Sequence, residues 1–155
     1  MTSATSSNSS SVPIRILLVD DNQHGLIARK TVLEELGYLI TPASGALEAL
    51  EHFSKGAYDL VITDFKMPKM DGKELIERVR KTAPTIPIIL LSGFIDALGL
   101  DEKSTGADVV IQKSANEVTH LVRSVKRLLT RKPPRKPAGV EQPPAIAARA
   151  RKQSV

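Results

Sequence analysis

The stretch Leu60-Val61-Ile62-Thr63-Asp64-Phe65-Lys66-Met67-Pro68-Lys69-Met70-Asp71-Gly72 is a short, mostly apolar run that ends in one aspartate, Asp64. A loop punctuated by Pro68 and Gly72 follows at once. The run is too short for a helix and places β-branched residues at 61, 62 and 63, which predicts a buried strand. In an open α/β sheet, ligands sit outside the carboxyl ends of the strands. A carboxylate there, facing a loop, is placed for metal or phosphate chemistry. Alone, Asp64 would be an ordinary strand-ending turn residue, so its meaning depends on what the other strands deliver.

Three further runs end in polar groups. Arg15-Ile16-Leu17-Leu18-Val19 leads into the adjacent carboxylates Asp20 and Asp21. Like charges side by side repel, and burying them is costly unless a cation compensates. Ile88-Ile89-Leu90-Leu91 ends in Ser92 and Gly93, and Val109-Val110-Ile111-Gln112 ends in Lys113. Each of these taken singly suits a solvated strand end, and Asp20-Asp21 equally suits a helix cap. Together, four strands of one parallel sheet would bring two carboxylates, a lone aspartate, a hydroxyl and an ammonium to one edge. That set can accept a phosphoryl group, with Asp64 as nucleophile, Mg²⁺ to neutralise charge, and Ser92 and Lys113 to hold the phosphoryl oxygens.

These residues resemble the response-regulator receiver domain, the phosphoacceptor module of two-component signalling. The likeness rests on Asp20-Asp21, on Asp64 within Asp-x-x-Met-Pro-x-Met-Asp-Gly, on Ser92-Gly93 and on Lys113, and runs from about Ile14 to Thr130. The resemblance implies a flavodoxin-like (βα)5 fold and phosphorylation of Asp64 by a sensor histidine kinase or a phosphotransfer protein. It also implies a Mg²⁺ site in which Asp21 and Asp64 are ligands, Asp20 acts through water, and the backbone carbonyl of Lys66 contributes. Output would pass to a downstream protein target. Such a module catalyses its own phosphorylation and is not a turnover enzyme. A phosphatase or phosphotransferase with an aspartyl-phosphate intermediate is disfavoured, because Lys66 stands where a second carboxylate would serve as acid/base.

With 155 residues the chain suits one domain plus tails. Residues 1–12 read as a Ser/Thr-rich disordered leader, 13–130 as the folded domain, and 131–155 as a basic, Pro/Ala-rich disordered tail without an output domain. No cysteine is present, so disulfides and thiolate metal sites are excluded. No segment approaches the ~18 apolar residues of a membrane span, and the expectation is a soluble, cytoplasmic, stand-alone protein with no membrane partner. The net charge of +5 is misleading unless divided, because residues 131–155 hold seven Lys/Arg and one acid, Glu141. The folded part is therefore close to neutral. The tail has no aromatic residues and no recognition helix, which argues against sequence-specific DNA reading and leaves only weak electrostatic contact with nucleic acid.

Apolar strands alternate with amphipathic helices five times, the pattern of a doubly wound five-stranded parallel sheet. The first helix is expected over 23–36 with Ala28, Val32 and Leu36 facing inward and Gly37 as its stop. A strand is expected at about 38–42, and a helix at 45–55 with Ala46, Leu50 and Phe53 inside. The next helix follows Asp71, whose carboxylate would cap while Glu74 reaches back, with Leu75, Ile76 and Val79 buried. The stretch 95–103 holds a glycine and few apolar positions, so its helix should be short. The last helix starts from a Ser114-x-x-Glu117 capping box and buries Val118, Leu121, Val122, Val125 and Leu128. His24 sits beside the acidic pair, within reach of a metal's outer coordination sphere, but reads better as a surface helix histidine; His52 and His120, far apart on helices, suggest no metal cluster.

Two positions depart from the family pattern. Val110 replaces the aromatic often found three residues before the lysine, and its short, branched side chain cannot make an aromatic swing. Ser114 replaces the proline that often follows the lysine, which removes help in holding a cis bond. Phe94 is a candidate substitute reporter. These departures sustain a second reading, a receiver-fold scaffold that binds partners independently of phosphorylation.

Overall fold

The structure, a computed structural model, describes residues 12–93 and 95–131. Phe94, the leader up to residue 11 and the tail beyond residue 131 lie outside the described residues. Five strands alternate with helices: β1 (Arg15–Val19), α1 (Gln23–Glu35), β2 (Leu39–Ala43), α2 (Ala46–Lys55), β3 (Leu60–Asp64), α3 (Gly72–Thr82) and β4 (Ile88–Ser92). Two short helices, α4 (Ile95–Leu98) and α5 (Glu102–Thr105), precede β5 (Val109–Gln112) and α6 (Glu117–Arg131). The sheet is parallel throughout, in the order β2-β1-β3-β4-β5. Chain order reverses direction at β1, so a crevice opens at the carboxyl ends of β1 and β3.

Alternating side chains along each strand supply two cores, one per face. Leu17, Val19, Val61, Ile88 and Leu90 pack with Ala46, Ala49, Leu75, Ile76 and Val79, which puts α2 and α3 on one face. Ile16, Leu18, Ile62, Ile89 and Leu91 pack with Leu26, Leu33, Leu121, Val125 and Leu128, which puts α1 and α6 on the other. In β2, Leu39 donates to Ile14 and Ala43 accepts from Asp20, so Pro42, one residue out of phase, turns its nitrogen away from β1.

The loop after β3 is built to a tight specification. Phe65 N–H donates to the Leu91 carbonyl at 2.8 Å, and Gly72 N–H returns to the Phe65 carbonyl at 2.7 Å. Between them, Met70 N–H reaches the Pro68 carbonyl at 2.8 Å with Lys69 at φ 74°, a γ-turn of the positive-φ kind. This turn sends Met67 and Met70 into the core while Lys69 stays exposed. At Gly72 a Cβ would collide with the Asp64 carbonyl oxygen and the Leu90 side chain, so only glycine fits behind the strand end. Asp71 then caps α3 by accepting from Glu74 N–H at 2.9 Å.

Several sequence expectations require correction. In α1 the buried residues are Leu26, Arg29 and Leu33, whereas Ala28 is exposed, Val32 half-buried and Leu36 exposed. Apolar spacing favoured the wrong stripe because the true one includes an arginine. Glu74 pairs with Arg78 at 3.3 Å, and among the described bonds it makes none back to Asp71. No capping box forms at Ser114: its hydroxyl accepts from Asn116 at 3.3 Å, and the Glu117 carboxylate is drawn to Arg29. Val118 is exposed and Val122 only partly buried. The weak stretch after Ser92 holds two helical turns, the second fixed by reciprocal Asp101–Ser104 capping. Gly37, at φ 98°, ends α1 as expected. None of the described peptide bonds is cis.

Candidate functional site

Each strand of the sheet except β2 ends by delivering a polar group to the crevice. Asp64 closes β3 and is 5% exposed. Its neighbour Thr63 ties the turn by donating to the Asp64 carbonyl at 2.9 Å. Asp20 and Asp21 follow β1, the first 1% exposed and the second open to solvent. One carboxylate oxygen from each of Asp20, Asp21 and Asp64 lies within 4.8 Å of the others, and among the described residues this is the group of His, Cys, Asp or Glu in metal-ligating range. Ser92, buried at the end of β4, pairs in register with Gln112 one step beyond the Asp64–Leu91 pair. Its carbonyl accepts from Lys113 N–H at 2.9 Å, which turns β5 into the pocket.

Lys113 Nζ lies 2.6 Å from Asp64 Oδ1 and 4.0 Å from Asp20 Oδ2. Burial pushes the Asp64 carboxyl above the usual aspartate range; Lys113 pulls it down and Asp20 pushes it up, and the net direction is upward. Lys66 is exposed on the loop that begins at Phe65. Asp20, Asp21, Asp64, Ser92 and Lys113 therefore converge on one crevice, while His24 and His120 are exposed and His52 pairs with Glu48 on α2.

Arg29 was not legible as part of this site. It is 7% exposed, and its guanidinium forks between two carboxylates: Nη1 to Asp20 Oδ2 and Nε to Glu117 Oε2. Burial would lower the guanidinium pKa, but the hydrogen bonds that it donates to Glu117 and Asp20 more than offset this. The other Asp20 oxygen accepts from Asn22 N–H at 2.9 Å. Both oxygens of Asp20 thus have protein partners, which leaves Asp21 and Asp64 as the more available carboxylates. The hard oxygen donors suit a small divalent cation. The sequence signal that could have revealed Arg29 is its position, three residues after Leu26 and four before Leu33, a cation inside an apolar stripe.

Residues 16–126 match the response regulator receiver domain family, and the chain belongs to it. The "Gliding motility regulatory protein" of Myxococcus xanthus is 33% identical over 74% of this chain and 15% of its own length. The "Probable transcriptional regulator ycf27" of Cyanidium caldarium is 36% identical over 79% of this chain and 50% of its own. The chain thus spans half or less of the length of these curated relatives. Among solved structures, the response regulator TrrA of Thermotoga maritima, in complex with Mg(2+)-BeF, is 40% identical, with a TM-score of 0.68 over 75% of this chain and 99% of that one. A CheY-like receiver domain from Methanospirillum hungatei is 32% identical, with a TM-score of 0.71 over 77% and 95%. The five-stranded parallel sheet is that of the flavodoxin-like receiver fold. Among the described residues, no helix is long and apolar enough to cross a membrane.

Proposed function

We propose that this receiver domain accepts a phosphoryl group on Asp64 from the phosphohistidine of a sensor histidine kinase or phosphotransfer protein. The single observation that carries the reading is the convergence of Asp20, Asp21 and Asp64 with Lys113 at 2.6 Å from the proposed nucleophile. One Asp64 oxygen forms the bond to phosphorus as the donor's P–N bond breaks, and the imidazole leaves. Lys113 turns from the carboxylate to the phosphoryl oxygens, and the Ser92 hydroxyl is the second donor to them. Asp21 and Asp64 would hold Mg²⁺, with Asp20 acting through water and the Lys66 backbone carbonyl as a further ligand, and the ion would supply charge neutralisation. The domain promotes its own phosphorylation and the hydrolysis of the resulting acyl phosphate, and is not a turnover enzyme. The phosphorylated form signals by binding a downstream protein.

Incubation with acetyl phosphate and Mg²⁺ followed by intact-mass measurement tests the assignment. The expected result is one phosphate-mass adduct, labile to alkali and lost in Asp64→Asn. An adduct that persists in Asp64→Asn overturns the nucleophile. A wild-type protein that stays unmodified favours the phosphorylation-independent scaffold.

A further inference from the structure

We propose that Arg29 is a positioning residue that couples cation loading of the acidic pocket to the first turn of α6. The inference rests on the reading that Asp20, Asp21 and Asp64 take Mg²⁺. Glu117 is the first residue of α6 and lies 88 positions from Arg29 in sequence, yet it shares the Arg29 guanidinium with Asp20. The chain of charge is continuous: Asp64 to Lys113, Lys113 towards Asp20, Asp20 to Arg29, Arg29 to Glu117. Space for it is provided by Gly25, where a Cβ would stand 3.1 Å from both Arg29 Nη1 and Asp20 Oδ2. A larger residue at 25 would press on the ion pair, so Gly25 and Arg29 form one device.

A planar guanidinium holds two carboxylates at once through separate N–H groups, which an ammonium cannot do in the same geometry. A cation that takes up part of the Asp20 charge weakens the hold of Asp20 on Nη1 and leaves the guanidinium more fully to Glu117. Binding free energies are reciprocal, so Glu117 must in turn affect the affinity of the pocket for the cation. The bridge supplies a route from pocket to helix that needs no side-chain swing at Val110, which is half-buried against the α2–α3 core.

The test is calorimetric titration with Mg²⁺ alone in wild type, Glu117→Gln, Arg29→Lys and the double variant. Glu117→Gln leaves Arg29 wholly to Asp20 and is expected to weaken Mg²⁺ binding by about five-fold or more. In the Arg29→Lys background the same change is expected to alter affinity by less than about two-fold, because the fork is gone. Equal weakening in both backgrounds means a long-range charge effect and overturns the bridge, as does no weakening in the wild-type background. Should Arg29→Lys not fold, the Arg29 Nε–H resonance of the wild type decides: it must move on Mg²⁺ saturation, and a fixed resonance overturns the proposal. A wild type that binds no Mg²⁺ fails the cation site itself, an outcome distinct from a bound cation without coupling.

Discussion

Asp64 carries an electrostatic penalty in the metal-free protein. Burial and the charge of Asp20 outweigh the help of Lys113, and its folded pKa stands above the ordinary 3.8. A carboxyl raised on folding binds its proton more tightly in the native state, so stability falls as pH rises past the unfolded value and stays reduced above the folded one. Asp64→Asn is therefore expected to melt higher than wild type at pH 7 in metal-free buffer, with the difference shrinking on acidification through about pH 4. Thermal melts of both proteins across that range check the sign, and a gap that widens towards acid contradicts it. Lys113 Nζ pairs with Asp64 Oδ1, so it would compete with a bound cation for the same carboxylate. Lys113→Ala is expected to bind Mg²⁺ at least as tightly as wild type yet to lose the amide shifts in β5 that are expected on phosphorylation of Asp64. Matching shift patterns in the two proteins would remove Lys113 from the switch.

At the scale of the element, α1 shows where pattern reading fails. Leu33 is fully buried and Leu36 is 40% exposed, although the i, i+4, i+8 spacing of Ala28, Val32 and Leu36 marked Leu36 as core. Leu33→Ala is expected to cost about 2–5 kcal/mol by urea denaturation, and Leu36→Ala no more than about 0.5 kcal/mol. Comparable losses at both positions would restore the apolar-spacing stripe. The β-strands were legible because fully buried parallel strands read as continuous Val, Ile and Leu. The α3 stripe was legible because Asp71 and Gly72 fix where the helix starts. The α1 stripe and the start of α6 were not, because one buried arginine and its two distant carboxylates decide both. Glu117 read as a local capping residue, and only the tertiary partner 88 positions away shows that its carboxylate is spent elsewhere.

For the whole molecule, the parallel order with its reversal at β1 explains why residues from Asp20 to Lys113 meet in one crevice. The acidic pair, Asp64 and Lys113 were legible since each ends an apolar run; Arg29 was not, since it lies mid-helix and reaches the pocket from behind. Among the described residues the open sheet also leaves two unpaired margins, and an unpaired margin is a template on which another strand can dock. The β5 margin is only four residues long. On the β2 margin the outward-facing position 42 is a proline, which has no N–H to offer an incoming strand. Pro42→Val restores that donor beside the exposed Leu39, and the variant is expected to self-associate at concentrations where wild type sediments as a single species. Identical sedimentation of the two would show that Pro42 is not what keeps neighbouring copies from joining their sheets.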